Sequence, residues 1–158
     1  MPISVNSNFP TTQLTLIKDG EISQASSDEF FKNKNIILVG VPGAFTPTCH
    51  ASHLPGYMDN LDAFNNKGWD VVFVAVNDPF VMQEWSKASS AQNINMIADG
   101  NCDLTNQLDL KMDGSGFGLG NRCMRFAMHI KNCVISSLDV EEGGALDISA
   151  AETQLAKI

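Results

Sequence analysis

The apolar positions of this chain fall into short runs that suit strands better than long helical stripes. The run WDVVFVAV, at residues 69–76, is apolar on both faces, which is typical of a buried, parallel strand at the centre of a sheet. Residues 35–39 (NIILV) and 94–98 (INMIA) indicate two further buried strands. These three segments predict the core of a sheet.

Two hairpins frame these strands. Residues 14–17 and 21–23 flank an Asp19-Gly20 turn, a strong hairpin signal. Residues 126–130 and 134–140 form the second predicted hairpin. Because hairpins pair antiparallel strands, the sheet is expected to be mixed.

Helical segments alternate with the strands. They are predicted at residues 26–31, 49–67, 77–87 and 103–108 and from 149 to the C-terminus. Pro55-Gly56 should kink or interrupt the second of them, and Ser149 with Glu152 resembles a capping box that starts the last. Residues 112–121 contain four glycines and predict a loop. The fold class expected is α/β with a mixed central sheet flanked by helices, in a single domain over residues 1–158.

The composition of the chain excludes several classes of protein. The 158 residues are 44% hydrophobic and 18% charged, which excludes a disordered chain. Ten Lys+Arg against 18 Asp+Glu give a net charge of −8, so nucleic acid is not an expected partner. The apolar runs are far shorter than a membrane span, and no membrane is expected as a partner. The N-terminus MPISVNSNFP lacks the basic and apolar regions of a secretory signal, and we expect a cytoplasmic protein.

The four cysteines contain no CxxC pair and therefore predict neither a dithiol motif nor a zinc ribbon. Cys49, His50 and His53 lie close together, but no further ligand follows at helical spacing, and no metal is expected. In a reducing compartment we expect four thiols.

The candidate chemistry lies where the first buried strand ends. A stiff loop with two prolines and a glycine, Pro42 to Pro47, leads directly to Cys49 at the start of a predicted helix. Backbone N–H groups there favour a thiolate, and the hydroxyl of Thr46, one turn earlier, could reach its sulfur. Two structural alternatives stay open: Cys49 as a small buried apolar residue, and Thr46 as the helix N-cap.

Four segments resemble the peroxiredoxins, and specifically the type-5 subfamily, called type II in plants. Residues 42–49, PGAFTPTC, match the motif Pro-x-x-x-Thr-x-x-Cys. Residues 53–57 (HLPGY), 76–82 (VNDPFVM) and 120–126 (GNRCMRF) match further segments of that subfamily in the same order.

The resemblance implies a thioredoxin-like fold and a peroxidase that reduces hydrogen peroxide and alkyl hydroperoxides without a bound cofactor. By that match Cys49 is the peroxidatic cysteine, Pro42 shields it, and Thr46 bonds the thiolate or the peroxide. Arg125 stabilises the thiolate and holds the peroxide oxygens; its alternative is a surface ion pair. Arg122 matches a less strict basic position and is a candidate to support the site.

The resemblance also indicates how the oxidised Cys49 is reduced back to the thiol after each reaction. Relatives carry a second cysteine near the C-terminus, five residues after the peroxidatic cysteine, or in the central strand. Here residues 141–158 contain no cysteine, position 54 is Leu, and residues 71–76 are VVFVAV, so none of these three positions has one. Cys102 and Cys133 match no resolving position, whereas Cys123, two residues before Arg125, could share a strand face with it. A single-cysteine mechanism is favoured, with glutathione and glutaredoxin, or thioredoxin, as reductant. The resemblance, together with the apolar residues of the loops at 44–47 and 80–82 that flank the site, predicts a homodimer. A peroxide-sensing thiol switch is the alternative function.

Overall fold

The computed structural model describes residues 3–158. Within that range the chain forms nine strands: β1 Gln13–Lys18, β2 Glu21–Ser26, β3 Asn35–Gly40, β4 Asp70–Ala75, β5 Asn95–Ala98, β6 Lys111–Asp113, β7 Asn121–Cys123, β8 Phe126–Lys131 and β9 Val134–Val140. The α-helices there are α1 Ser27–Phe30, α2 Leu54–Asp59, α3 Leu61–Asn66, α4 Pro79–Ala88, α5 Asp103–Leu108 and α6 Ala151–Leu155. A π-helical turn spans Cys49–His53, and a 3-10 turn spans Ser115–Phe117.

Seven strands form the main sheet in the order β2-β1-β5-β4-β3-β8-β9. The strand that is apolar on both faces, β4, takes the central position and runs parallel to both of its neighbours, β3 and β5. The outer pairs, β1 with β2 and β8 with β9, are antiparallel hairpins. The predicted mixed α/β sheet is therefore confirmed.

The sheet separates two hydrophobic cores, because alternate side chains of each strand point to opposite faces. Ile37, Val39 and Phe73 lie on the face that also carries Cys49, which we call the Cys49 face. Leu38 and Val74 lie on the opposite face with Cys123, which we call the Cys123 face. Helix α4 packs on the Cys49 face through fully buried Met82 and Trp85.

The helical region that begins near Cys49 differs from its prediction. It is not broken at Pro55-Gly56: residues 47–59 are continuously helical, and the turn directly before Pro55 is the π-helical turn Cys49–His53. The interruption comes instead at Asn60, between α2 and α3.

Two other local predictions are wrong in part. The glycine-rich segment is a loop only between β6 and β7, which pair with each other as a small second sheet. The capping box does not form, because Ala150 takes the N-cap position of α6 and Ser149 uses its hydroxyl and its N–H on Glu141 instead. Tertiary hydrogen bonds outcompete the local cap here.

No helix in the described part of the chain is long and apolar enough to cross a membrane.

Candidate active site

Cys49 lies at the carboxyl end of β3, the place where α/β sheets usually bind ligands. Residues 47 and 48 are already helical, and Cys49 opens the π-helical turn Cys49–His53. Its side chain is 0% exposed and belongs to the core cluster of the Cys49 face. A π-helical turn within a longer helix is uncommon and is found frequently at functional sites.

The cation beside this sulfur is Arg125. Its Nη2 donates to Cys49 Sγ at 3.3 Å, although 76 residues separate the two in sequence. Arg125 is 4% exposed, and its Nε is buried without a hydrogen-bond partner in residues 3–158. The contact therefore places a guanidinium N–H donor directly against the sulfur, inside the core. Arg125 therefore lies beside Cys49, as the resemblance implied. The alternative, in which Arg125 forms an ion pair on the surface, does not agree with its burial.

His53 holds the other side of this guanidinium, a contact that the sequence analysis did not identify. Arg125 Nη1 lies 2.7 Å from His53 Nδ1, and His53 Nε2 lies 3.0 Å from the carbonyl oxygen of Ser149. Because Arg125 only donates, Nδ1 must accept, so His53 carries its proton on Nε2 and donates it to Ser149. Burial, together with the charge of Arg125, lowers the pKa of His53 to about 4. His53 is therefore neutral at neutral pH.

The segment after β9 completes this arrangement. The Ser149 carbonyl also accepts a hydrogen bond from the Tyr57 hydroxyl, at 2.6 Å. The Glu141 carboxylate accepts from the backbone N–H groups of Asp147, Ile148 and Ser149 and from the Ser149 hydroxyl. Desolvation raises the pKa of Glu141, but these hydrogen bonds outweigh it and leave the pKa below its usual value. The ionised Glu141 thus fixes the turn whose carbonyl positions His53.

Thr46 makes a different bond from the one expected. Its hydroxyl donates to the Gly43 carbonyl at 2.7 Å, and no hydrogen bond joins it to Cys49 within residues 3–158. Thr46 occupies the position before the helical residues, and its carbonyl accepts from His50 N–H at 2.9 Å. Its hydroxyl does not cap the helix, so the lone pairs of the oxygen point to no donor of the described chain. Pro42 is buried at the start of the same loop.

The neighbouring His50 makes its contacts with helix α4 and with the loop before Cys49. Trp85 Nε1 donates to His50 Nδ1 at 3.1 Å, and the Phe45 ring lies 5.4 Å from the imidazole. His50 therefore ties the loop before Cys49 to helix α4.

The other cysteines lie apart from this constellation. The prediction that Cys123 shares a strand face with Arg125 is wrong: β7 ends at Cys123, and its side chain belongs to the core on the opposite face of the sheet. Cys123 Sγ donates to the Met124 carbonyl at 3.0 Å. Cys102 is buried before α5, and Cys133 is half-buried at the β8–β9 turn. No disulfide joins the four cysteines, all of which lie within the described residues.

Comparison with known proteins agrees with this geometry. The redoxin family model matches residues 4–155. Peroxiredoxin-2C of Oryza sativa subsp. japonica is 40% identical over 155 residues, which cover 96% of this chain and 95% of that protein. Peroxiredoxin-2D of Arabidopsis thaliana is 36% identical over 154 residues, with coverage of 96% and 95%.

Solved structures give the same result. Reduced Prx3 of Vibrio vulnificus in complex with H2O2 superposes with a TM-score of 0.92 at 40% identity, covering 98% of each chain. The 1-Cys peroxiredoxin of Plasmodium falciparum superposes with a TM-score of 0.89 at 28% identity, covering 96% of each chain. The chain therefore belongs to the redoxin family and is a peroxiredoxin, a thiol peroxidase with a thioredoxin-like fold.

Proposed function

We propose that Cys49 is the nucleophile of this peroxidase and that Arg125, Thr46 and Pro42 form its pocket. The Cys49 thiolate attacks one oxygen of ROOH, an S–O bond forms, and the O–O bond breaks. The electron pair leaves on the second oxygen, which takes a proton to give ROH, and Cys49 becomes a sulfenic acid. The substrates are hydrogen peroxide and alkyl hydroperoxides.

The observation that carries this proposal is the placement of the Arg125 guanidinium. One nitrogen bonds the sulfur at 3.3 Å, while Nε is buried without a partner in the described chain. Negative charge develops on the departing oxygen, and a buried, pre-oriented donor stabilises it far better than water does. The unpartnered Nε–H has the chemistry required for a peroxide oxygen.

Thr46 and Pro42 complete the pocket. With its proton committed to Gly43, the Thr46 hydroxyl can act only as an acceptor toward a new ligand, and a peroxide O–H is a suitable donor. Buried Pro42 keeps water from the sulfur and from the sulfenic acid. A donor, an acceptor and a nucleophile then converge on one small molecule.

The proposal is tested by stopped-flow measurement of peroxide consumption in Cys49→Ser, Thr46→Val and Arg125→Met. We expect no turnover in the first and a slower peroxide step in the other two. Full activity of Cys49→Ser would assign the chemistry to another cysteine.

We further propose that an external thiol resets the enzyme. No other cysteine lies on the Cys49 face among residues 3–158, and a disulfide requires Cα atoms within about 7 Å. Glutathione would condense with the sulfenic acid, releasing water, and glutaredoxin would then free Cys49; thioredoxin is the competing reductant. The structural neighbour from Plasmodium falciparum, named a 1-Cys peroxiredoxin, supports this mechanism. Because the Cys49 side chain is fully buried, the π-helical turn must open before a protein reductant reaches it.

Mass spectrometry under non-reducing conditions distinguishes these routes. After one equivalent of peroxide we expect one added oxygen on Cys49, and a glutathione adduct there once glutathione is supplied. Loss of two hydrogens with Cys49 joined to Cys123 would contradict the single-cysteine mechanism. Steady-state turnover with glutathione plus glutaredoxin, compared with thioredoxin, identifies the reductant.

We also propose that the protein is a homodimer. Phe45, Phe80 and Phe117 are 46%, 71% and 88% exposed. Phe80 lies in the first turn of α4, and the segment before that helix is joined to the loop of Phe45 by the hydrogen bond from Ala44 N–H to Asn77 Oδ1. Exposed aromatic side chains in one region favour an interface. Met82, which the sequence analysis added to this surface, is instead buried in the core. Light scattering at micromolar concentration tests the mass, and Phe80→Ser should weaken the dimer.

A reducing compartment such as the cytoplasm is the proposed location. The supporting observation is that all four cysteines are free thiols. Fractionation of the source cells tests it.

A further inference from the structure

Arg122 lies outside the pocket but contacts three loops that meet beside it. Its Nε donates to the Leu119 carbonyl at 2.9 Å. Its Nη1 lies 3.4 Å from the Pro42 carbonyl and 3.3 Å from the Val76 carbonyl. One half-buried guanidinium therefore joins the glycine-rich loop to the residues that follow β3 and β4.

The chain leaves room for this guanidinium at Gly43. A Cβ atom built on Gly43 would lie 2.9 Å from Arg122 Nη1 and 3.1 Å from Thr46 Cγ2. Real Cβ atoms essentially never show a contact as short as the first, and the second is tighter than most of their contacts. Because residue 43 is a glycine, the side chains of Arg122 and Thr46 can both pack directly against the backbone of this turn.

The turn connects Arg122 to the peroxide pocket. Arg122 holds the Pro42 carbonyl, and the carbonyl of the next residue, Gly43, accepts both the N–H and the hydroxyl of Thr46. Loss of the guanidinium frees the Pro42–Gly43 backbone to rotate. The Thr46 hydroxyl, which has the Gly43 carbonyl as its acceptor, would lose its orientation with it.

We propose that Arg122 is a positioning residue for the peroxide step, which acts through the Pro42–Gly43 turn on Thr46. This inference rests on the proposed role of Thr46 as the acceptor for the peroxide O–H. This role requires the shape of the guanidinium group and not only its positive charge. Two of its nitrogens, Nε and Nη1, donate to three carbonyls that lie in different directions. Arg125 keeps its own contact with Cys49 and does not depend on this turn.

Two reactions of Cys49 distinguish a positioning role of Arg122 from a general disruption of the site by the substitution. Alkylation by iodoacetamide needs the thiolate but no peroxide acceptor, whereas peroxide reduction needs both. In Arg122→Gln we expect the rate constant for peroxide to fall by about 10- to 10²-fold, while the pH profile of alkylation stays as in the wild type. Arg122→Lys should recover less than about a third of the lost rate, since one ammonium cannot reproduce the fork.

A double-mutant cycle tests the route through Thr46. In a Thr46→Val background, Arg122→Gln should slow the peroxide step by less than about twofold, because the group it positions is already gone. Gly43→Ala should resemble Arg122→Gln, and the two should not be additive. Lys111→Gln, which removes an exposed cation from the paired strand β6, is the matched control and should leave the rate unchanged.

Several outcomes would overturn the proposal. They are an Arg122→Gln rate within twofold of wild type, full rescue by lysine, an alkylation profile that moves as far as in Arg125→Met, or full additivity with Thr46→Val. If Cys49→Ser stays active, the proposed function itself fails, and that result is independent of Arg122.

Discussion

Cys49 and Cys123 are two equally buried thiols, 0% and 1% exposed, on opposite faces of one sheet. Cys49 opens a helical turn and receives a hydrogen bond from a guanidinium. Cys123 is packed among apolar side chains and donates its own proton to a backbone carbonyl. Burial, together with the charge of Asp99, raises the pKa of Cys123 well above its ordinary value. The two thiols thus share burial and differ in the charged group enclosed with each of them, Arg125 beside Cys49 and Asp99 near Cys123.

The strongest test of this comparison removes each sulfur in turn. Cys49→Ser should abolish peroxide consumption, since no other thiol lies beside Arg125. Cys123→Ser should keep most of the activity, because a serine hydroxyl can donate to the Met124 carbonyl as the thiol does. Stopped-flow kinetics and far-UV circular dichroism of both variants provide the measurement. An inactive, folded Cys123→Ser variant would break the comparison.

Removal of the guanidinium should make Cys49 resemble Cys123. We expect Arg125→Met to slow the peroxide step by about 10²-fold or more, the loss that follows removal of one pre-oriented transition-state donor. The pH profile of Cys49 alkylation should move to higher pH, because the thiolate loses its cation. If the profile stays where it is in the wild type, Arg125 does not stabilise the thiolate.

The groups around Cys49 also make the fold sensitive to acid. The folded-state pKa of His53 is about 4, below its ordinary 6.5, so between these values the unfolded chain binds a proton that the folded chain does not. Stability therefore falls as pH drops from 6.5 to 4, by about 3 kcal/mol for this one group. Above pH 6.5 His53 should contribute no pH dependence.

His53→Gln separates this contribution from other acid effects. Glutamine can donate to Ser149 and accept from Arg125 without titrating. Urea unfolding at pH 4.5 and pH 7 should show a smaller stability difference in His53→Gln than in the wild type, while Cys123→Ser keeps the wild-type difference. If the difference in unfolding free energy between pH 4.5 and pH 7 is the same in all three proteins, His53 is not held neutral in the folded state.

The smallest effect is expected at the two remaining cysteines. Cys102→Ser and Cys133→Ser should stay within about twofold of the wild-type rate, because neither side chain contacts the site. Steady-state turnover measures this. A larger loss in either variant would mean that a distant thiol takes part in the catalytic cycle.

The strands could be predicted because their signals are local. The run that became β4 is apolar on both faces, and only a central position buries both. The Asp19-Gly20 turn has positive φ at both residues, 52° and 79°, which Asp and Gly tolerate well. The positions of Cys49 and Arg125 were likewise predictable, through the resemblance of their motifs.

The contacts that support the site could not be predicted, because some join residues far apart in sequence and others depend on which of several hydrogen-bond partners a side chain takes. His53 meets Arg125 across 72 residues and the Ser149 carbonyl across 96. Ser149 looks like a local cap, but Glu141 offers its hydroxyl a charged acceptor, and the stronger bond prevails. Spacing also gives no hint that the Thr46 hydroxyl turns toward Gly43.

The Glu141 carboxylate has one further consequence, for the dynamics of the chain. The amides of residues 147–149 belong to no helix or strand, and such amides normally exchange with solvent within seconds to minutes. Here their hydrogens are bonded to the carboxylate of Glu141, a buried residue whose own backbone N–H donates to the Arg125 carbonyl. Ser149 is 0% exposed, so exchange of its amide hydrogen requires this turn to open. The Ser149 amide should be protected like the interior of the sheet, and it should open together with the contacts that hold His53 as one cooperative unit.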